Sequence, residues 1–192
     1  KDNGWNVQGI DGEKEAVEWS LKRGIKIKQA DFVKNPLPYK DNTFDAVLAL
    51  DLLEHLPNDQ EALQEMTRVL KPGGVAVITI PAYQWLFNYW DEMLGHKRRY
   101  TTSSFKKIIN PDLNIHHLGY YFCMFLFPTL LVRGIKQLTG NKGDQQQSDF
   151  ENTPVPWLSI PIMNTYAKLE RWMLKQTTLP FGLSVIAVLE KK

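Results

Sequence analysis

Acidic side chains follow three apolar segments of this 192-residue chain, at positions where they could bind a ligand. Asp11 follows the segment NVQGI, Asp31 follows IKIKQA, and Asp51 follows FDAVLAL. A carboxylate such as Asp11, at the end of a strand and ahead of a helix, can accept hydrogen bonds from both ribose hydroxyls of a nucleoside. The alternative for Asp11 is a solvated aspartate that caps the next helix.

The loop after Asp51 reads LLEHLPN and contains Glu54 and His55. Because the pKa of imidazole lies near neutrality, His55 could act as a general base toward a hydroxyl acceptor. In the alternative interpretation, Glu54 and His55 form a hydrogen-bonded pair that fixes the loop. The sequence predicts no metal site.

A basic segment, GHKRRYT, occupies Gly95–Thr101. Its Arg98, Arg99 and Tyr100 side chains could bind a carboxylate or a phosphate through planar, charge-assisted hydrogen bonds. The alternative is a solvated basic turn.

The pattern of apolar residues predicts the elements that position these groups. Predicted strands are Asn6–Ile10, Ile25–Gln29, Phe44–Leu50, Val75–Ile80, Asn114–Tyr121 and Ser184–Leu189. Predicted helices are Glu13–Arg23, a helix that Asn58 caps and Lys71–Gly74 ends, Ser103–Asn110, and Met163–Gln176 with Leu169, Trp172 and Met173 inward. The continuous apolar run Phe44–Leu50 predicts a strand covered on both faces. Strands that alternate with helices predict an α/β fold with a parallel sheet, whose ligands bind beyond the carboxyl ends of the strands.

Composition excludes several classes of protein. A net charge of +2 gives no reason to expect a nucleic-acid partner. The single cysteine, Cys123, excludes an intramolecular disulfide and fits a reducing, cytoplasmic location, and we expect it to be a buried thiol. The apolar run 118–132 is interrupted by Gly119 and Pro128 and is shorter than the ~20 residues that span a bilayer. We expect neither a transmembrane helix nor a signal peptide.

The stretch from Asp31 to Pro81, with its LLEHLPN loop and KPGG turn, resembles the middle of a class I S-adenosylmethionine-dependent methyltransferase. The resemblance implies a Rossmann-like sheet with helices on both faces, and S-adenosyl-L-methionine as the cofactor. It also implies cofactor-binding roles for the residues at the strand ends, which are Asp11, Gly12, Asp31, Phe32, Leu50, Asp51 and Leu52. One branch of the family often carries a GHxRRYT stretch, which implies acceptor-binding roles for His96, Arg98, Arg99 and Tyr100.

One element of the family pattern is absent. The first strand and glycine-rich loop of the family would precede Asn6, and this chain begins KDNGW. In the family sheet that strand lies between the strands that end at Asp11 and Leu50, so we expect a gap of about two strand spacings of ~4.8 Å each. We assign residues 1–118 and 180–192 to the methyltransferase domain, and 119–179 to an apolar, helical insertion or lid before the last strand.

The resemblance implies an enzyme that transfers a methyl group to a small-molecule or lipid-linked acceptor. The alternatives are a nicotinamide-dependent oxidoreductase and a non-catalytic module that binds a membrane surface or a partner. The apolar insertion must pack on the core, on a second copy or on a lipid. Its accompanying basic residues are compatible with peripheral contact to an anionic membrane, and homodimerisation is the alternative.

Overall fold

A computed structural model describes residues 4–31, 35–127, 129–130 and 159–192 of the chain. The strands are β1 (Gln8–Asp11), β2 (Lys26–Gln29), β3 (Phe44–Leu50), β4 (Leu70–Pro81), β5 (Leu113–Tyr121) and β6 (Ser184–Lys191). The α-helices are α1 (Lys14–Lys22), α2 (Asp59–Val69), α3 (Tyr89–Met93), α4 (Thr102–Lys106) and α5 (Ser159–Gln176). Short 3-10 helices cover Leu53–His55 and Gln84–Leu86, and residues 123–127 are also helical.

The described strands form two separate sheets. One contains the parallel pair β1 and β2, and the other has the order β3-β4-β6-β5. Because β3 and β4 are parallel and β6 is antiparallel to both β4 and β5, the carboxyl ends of β3, β4 and β5 lie at one edge. We call this the strand-end edge. The α/β fold class is confirmed, and no described strand occupies the position that the sequence left open between β1 and β3.

The core lies between β4, β6 and the helices that pack on them. Leu53, Leu63, Leu70, Phe105 and Leu189 are fully enclosed in it. The apolar stripe predicted for α2 is confirmed, since all of its members are buried: Ala62, Leu63, Met66, Val69 and Leu70. The predicted cap is also present, because Asn58 Oδ1 accepts a hydrogen bond from the backbone N–H of Glu61 at 3.3 Å.

Strand β3 is covered on one face instead of two. Ala49 is buried, whereas Leu48 and Leu50 are 67% and 58% exposed. The prediction of two covered faces is therefore wrong for the described chain. In the described chain β3 is also the edge strand of its sheet, so an apolar run typical of a central strand is only partly covered.

Strand β4 begins earlier than predicted. The segment Lys71–Gly74 ends α2 as expected, but it is already extended, and Leu70 pairs with Phe44 ahead of a register shift. Gly74 permits this close pairing, because a Cβ there would lie 2.8 Å from the carbonyl oxygen of Lys71 and 3.1 Å from that of Phe44.

Helix α5 buries a different face from the predicted one. Leu169 and Trp172 are exposed, so their predicted inward orientation is wrong, and Tyr166 and Glu170 are buried instead. Glu170 Oε1 accepts a hydrogen bond from the backbone N–H of Cys123 at 2.8 Å. A buried backbone donor needs an acceptor, and this requirement outweighs the apolar periodicity. Cys123 is buried as predicted, and burial raises the pKa of its thiol.

Tyr39 joins the two sheets. Its hydroxyl donates to the carbonyl of Gly9 in β1 at 3.4 Å, and the ammonium of Lys28 lies 4.6 Å from its ring centroid. Arg68 holds the Tyr39 loop on α2 by donating to the carbonyls of Tyr39 and Leu37 at 2.9 and 3.1 Å. The small sheet is therefore connected to the large one through a loop instead of through strand pairing.

Among the described helices, none combines the length and the apolar character needed to cross a bilayer. Much of the predicted 119–179 insertion falls outside the described residues, namely 128 and 131–158. Its role as a lid stays a prediction.

We predict that Gly182→Ala strongly destabilises the fold. A Cβ at Gly182 would overlap the carbonyl oxygen of Tyr121 and lie 3.0 Å from its amide nitrogen, and backbone atoms of a paired strand cannot move aside cheaply. The free energy of unfolding should fall by at least about 2 kcal/mol, measured by urea denaturation. Gly12→Ala is the matched control, because its added Cβ meets nothing closer than 3.9 Å. Equal stability of the two variants would contradict this account.

Candidate functional site

Three residues other than glycine have left-handed backbone at the strand-end edge. Asp51 follows β3 with φ 49°, Tyr83 lies just past β4 with φ 60°, and Phe122 follows β5 with φ 58°. Such conformations cost roughly 1–3 kcal/mol each and concentrate at functional sites. Their clustering at one edge supports the prediction that ligands bind there.

Asp51 is held at this edge by the neighbouring strand. Its backbone N–H donates to the carbonyl oxygen of Thr79 at 2.9 Å and also lies 3.1 Å from Thr79 Oγ1. The Thr79 hydroxyl in turn donates to Asp51 Oδ1 at 3.3 Å. The carboxylate and its neighbours Leu50 and Leu52 are thus fixed at the predicted position, and their cofactor-binding role stays a prediction.

Asp11 and Asp31 lie at the corresponding ends of the small sheet. β1 and β2 are parallel, and Asp11, the last residue of β1, pairs with Gln29, the last residue of β2. Asp31 follows β2 by two residues, so both carboxylates lie at the same edge. Asp11 Oδ1 accepts a hydrogen bond from the backbone N–H of Glu13 at 2.8 Å, at the start of α1. Gly12 is exposed, and Phe32 lies outside the described residues.

Glu54 is the least expected feature of the site. Its side chain is 0% exposed, and neither carboxylate oxygen has a hydrogen-bond partner. Burial raises the pKa of Glu54 to about 7. The interpretation in which Glu54 and His55 form a hydrogen-bonded pair is therefore wrong. A charged carboxylate without a partner in such a place is unfavourable, so Glu54 requires a proton or a cation beside it.

His96 faces Glu54 and is oriented by Asp91. His96 Nε2 lies 4.0 Å from Glu54 Oε1, and His96 Nδ1 lies 2.8 Å from Asp91 Oδ1. Asp91 is buried and also accepts from Arg99 Nε at 2.7 Å and from the backbone N–H of Asn88 at 2.9 Å. Burial is the largest single influence on the pKa of Asp91 and raises it, but these hydrogen bonds together lower the pKa below its usual value.

His55 packs edge-on against His96. The ring centroids are 4.7 Å apart and the rings are nearly perpendicular, at 81°. Burial, followed by the proximity of His96, lowers the pKa of His55, although a hydrogen bond with the Gly95 backbone opposes this. His55 is therefore largely neutral at pH 7, and its role as a general base stays a prediction.

The basic segment is bound into the protein, so its interpretation as a solvated turn is wrong. Arg98 donates to Asp59 Oδ2 at 3.0 Å and to the carbonyls of Leu56 and Pro57 at 3.1 and 2.9 Å. The Tyr100 hydroxyl is buried and donates to the same Asp59 oxygen at 2.8 Å. The acceptor-binding role of this segment stays a prediction, and the geometry gives it a first role in holding the loops together.

The sequence alone did not indicate Asp59, Asp91 or the burial of Glu54. Asp59 and Asp91 lie in the first turns of α2 and α3, where acidic residues are common for local reasons. Asp91 belongs to a capping box with Asn88, which could have been found by its spacing. Its contacts with His96 and Arg99 add a role that helix capping does not predict.

Comparison with known proteins finds similar sequences and a similar fold. Residues 1–78 match the family model described as a methyltransferase domain. The chain is 42% identical over 78 residues to a sterol 24-C-methyltransferase of Gibberella zeae, covering 41% of this chain and 18% of that protein. It is 32% identical over 118 residues to a ubiquinone biosynthesis O-methyltransferase of Rickettsia prowazekii, covering 57% of this chain and 46% of that protein. The chain thus spans less than half the length of either relative.

The fold is shared with solved methyltransferases. The structure of an S-adenosylmethionine-dependent methyltransferase from Mesorhizobium loti superposes with a TM-score of 0.58 at 13% identity, over 96% of this chain and 80% of that one. Residues 1–78 therefore resemble a methyltransferase domain, and the described chain shares its fold with S-adenosylmethionine-dependent methyltransferases, in agreement with the resemblance seen in the sequence. The cofactor that this family implies is S-adenosyl-L-methionine.

We predict that Arg98→Met lowers stability, because it removes charge-assisted hydrogen bonds to Asp59 and to two loop carbonyls. The loss should be about 2 kcal/mol, measured as a lower midpoint of thermal or urea unfolding. Lys97→Met is the matched control, since Lys97 is the exposed neighbour in the same segment. If Arg98→Met unfolds like wild type and loses only acceptor turnover, Arg98 serves acceptor recognition instead.

Proposed function

We propose that this protein transfers a methyl group from S-adenosylmethionine to a small-molecule or lipid-linked acceptor. The observation that carries the proposal is the placement of Asp11, Asp31 and Asp51, each at or just beyond the carboxyl end of a parallel strand, in a chain whose first 78 residues match a methyltransferase domain. The family match favours methyl transfer over hydride transfer.

The residues present fit the nucleoside end of the cofactor. The ribose hydroxyls and the adenine amino group are hydrogen-bond donors, and the carboxylates of Asp11 and Asp31 are acceptors at the ends of neighbouring strands. In this proposal Asp11, next to Gly12, accepts from the ribose and Asp31 accepts from the adenine. Leu50, Asp51 and Leu52 contact the methionine part.

Bound S-adenosylmethionine supplies an electrophilic methyl group on a sulfonium sulfur. The chain's own task is to align the acceptor and to exclude water, because in-line approach matters more than a strong base for this transfer. In this proposal His55, whose pKa is lowered by burial and which follows β3 closely, takes a proton from a hydroxyl acceptor.

Asp11→Ala should weaken binding of S-adenosylmethionine at least tenfold, since it removes two charge-assisted hydrogen bonds worth about 1.5–3 kcal/mol each. Isothermal titration calorimetry on the full-length protein measures the effect. Glu15→Ala, an exposed carboxylate on α1, is the control and should bind like wild type. A folded Asp11→Ala protein with wild-type affinity would remove the ribose assignment. Absence of binding by the wild type would favour the non-catalytic module.

An apolar acceptor at a membrane surface is the second part of the proposal. Met124 and Phe127, directly after β5, are 57% and 63% exposed, and Phe127 contacts Phe181 with ring centroids 5.6 Å apart. Phe181 precedes β6, so this apolar patch borders the strand-end edge. The relatives named for sterol methylation and ubiquinone biosynthesis support an acceptor of this kind. The single cysteine supports a cytoplasmic location at that surface.

Full-length wild type should float with anionic phospholipid vesicles, and the double variant Met124→Ser/Phe127→Ser should float at least several-fold less. Each replacement removes exposed apolar surface that would otherwise enter the lipid interface. Trp19→Ser is the control, because Trp19 is equally exposed but lies on α1, away from the patch. If wild type does not float, or if the folded double variant floats equally, the patch serves packing or dimerisation.

A further inference from the structure

A cluster of three potential metal ligands lies directly beyond β3. Glu54, His55 and His96 each offer one ligand atom, and these atoms all lie within 4.8 Å of one another. Glu54 and His55 come from the 3-10 helix after β3, whereas His96 comes from the segment after β4. The backbone N–H of Lys97 donates to the carbonyl of Glu54 at 2.7 Å and holds the two segments together.

The burial of the Glu54 carboxylate is a second feature that points to a cation, independent of the distances between the three ligand atoms. It is fully buried, both of its oxygens lack a hydrogen-bond partner, and Oε1 faces His96 Nε2 at 4.0 Å. That distance exceeds the length of a hydrogen bond, so a shared proton does not satisfy both atoms. Two unpartnered acceptor atoms that face each other in a buried place are unfavourable, and a cation between them would satisfy both.

The tautomer of His96 is set by its other nitrogen. Asp91 is buried and bonded to Arg99, and its carboxylate can only accept, so His96 Nδ1 donates to Asp91 Oδ1. In the neutral imidazole, the lone pair of Nε2 then points toward Glu54. A carboxylate that accepts the second N–H of a histidine is the usual companion of a metal-ligating imidazole.

His55 completes the set as a second imidazole. Its ring packs at 81° to that of His96, and a hydrogen bond with the Gly95 backbone occupies one side of it. Two imidazoles and one carboxylate suit zinc and similar first-row divalent cations, whereas calcium and magnesium prefer oxygen ligands.

We propose that Glu54, His55 and His96 bind a zinc-type divalent cation, with Asp91 as the residue that positions His96. Ligand atoms around a tetrahedral zinc lie about 3.3 Å apart, given bonds of about 2.0–2.2 Å. Groups now within 4.8 Å must therefore close by roughly 1.5 Å at most, which small side-chain rotations allow. Three protein ligands leave a fourth position open, as in catalytic zinc sites.

The site does not depend on the proposed methyl transfer, and it revises the absence of a metal site expected from the sequence. With a cation bound, His55 is a ligand and no longer available as the general base, because the lone pair that binds the metal cannot also take a proton. The sequence could not indicate it, since His96 lies 41 residues beyond His55 and no short ligand motif joins them. Because Glu54 and His55 follow β3 and Asp51 closely along the chain, the proposed site lies at the strand-end edge.

Equilibrium dialysis of full-length protein against Zn²⁺, with metal analysis and without S-adenosylmethionine, tests the proposal. Wild type should bind one ion per chain, and Glu54→Gln and His96→Asn should each weaken binding at least tenfold. Asp91→Asn should also weaken it, by about tenfold or more. Glu92→Gln and His116→Asn are matched controls, because both residues are exposed and lie outside the cluster.

Co²⁺ provides a second readout, since its visible absorption reports the ligands directly. A spectrum typical of four-coordinate cobalt should appear in wild type and in both controls and be lost in Glu54→Gln. Zn²⁺ should also raise the melting temperature of wild type but not that of Glu54→Gln. The proposal is overturned if wild type binds neither ion, or if folded Glu54→Gln and His55→Asn bind like wild type. A metal-free Glu54→Gln that is more stable than a non-binding wild type would assign a proton to Glu54 instead.

Discussion

The buried carboxylate of Asp91 holds together the segment that closes the strand-end edge. It bonds Arg99, His96 and the first turn of α3 at once, so the chain from Asn88 to Tyr100 forms a closed loop. The loop is then fixed to β4 by the backbone pairing of Ala82 with Tyr100. Removing the Asp91 carboxylate would take away an acceptor that Arg99, His96 and the Asn88 N–H share. A structure can therefore depend heavily on a single buried carboxylate.

Asp59 also holds this segment in place, through hydrogen bonds with Arg98 and Tyr100. Arg98 and Tyr100 converge on one of its oxygens from the loop after β4, while Asp59 itself begins α2 after the loop that follows β3. The consecutive residues Arg98 and Arg99 therefore point to different carboxylates. A pair of arginines that looks like one basic patch in the sequence is divided between two internal ion pairs.

Local patterns in the sequence predicted the elements well and the environment of individual side chains poorly. Phe44–Leu50 was predicted to the residue, because a short, continuous apolar run between polar turns is typical of a strand. The same apolar run led to the wrong prediction that both faces of β3 are buried, because burial depends on neighbouring segments and not on the run itself. The orientation of α5 followed a buried N–H at Cys123, and the isolation of Glu54 follows from residues about 40 positions later. Such long-range effects have no periodicity to detect.

Among the described residues, no strand pairs with the outer edge of β3, and this has a consequence for the protein in solution. An unpaired strand edge is a template for strands from other molecules. The segment FDAVLAL contains neither proline nor glycine and has a single charge, Asp45, which the ammonium of Lys71 contacts at 2.7 Å. Apolar segments of six or seven residues with this composition assemble readily into intermolecular sheets. An edge left unpaired in this way would favour ordered aggregation that begins at β3.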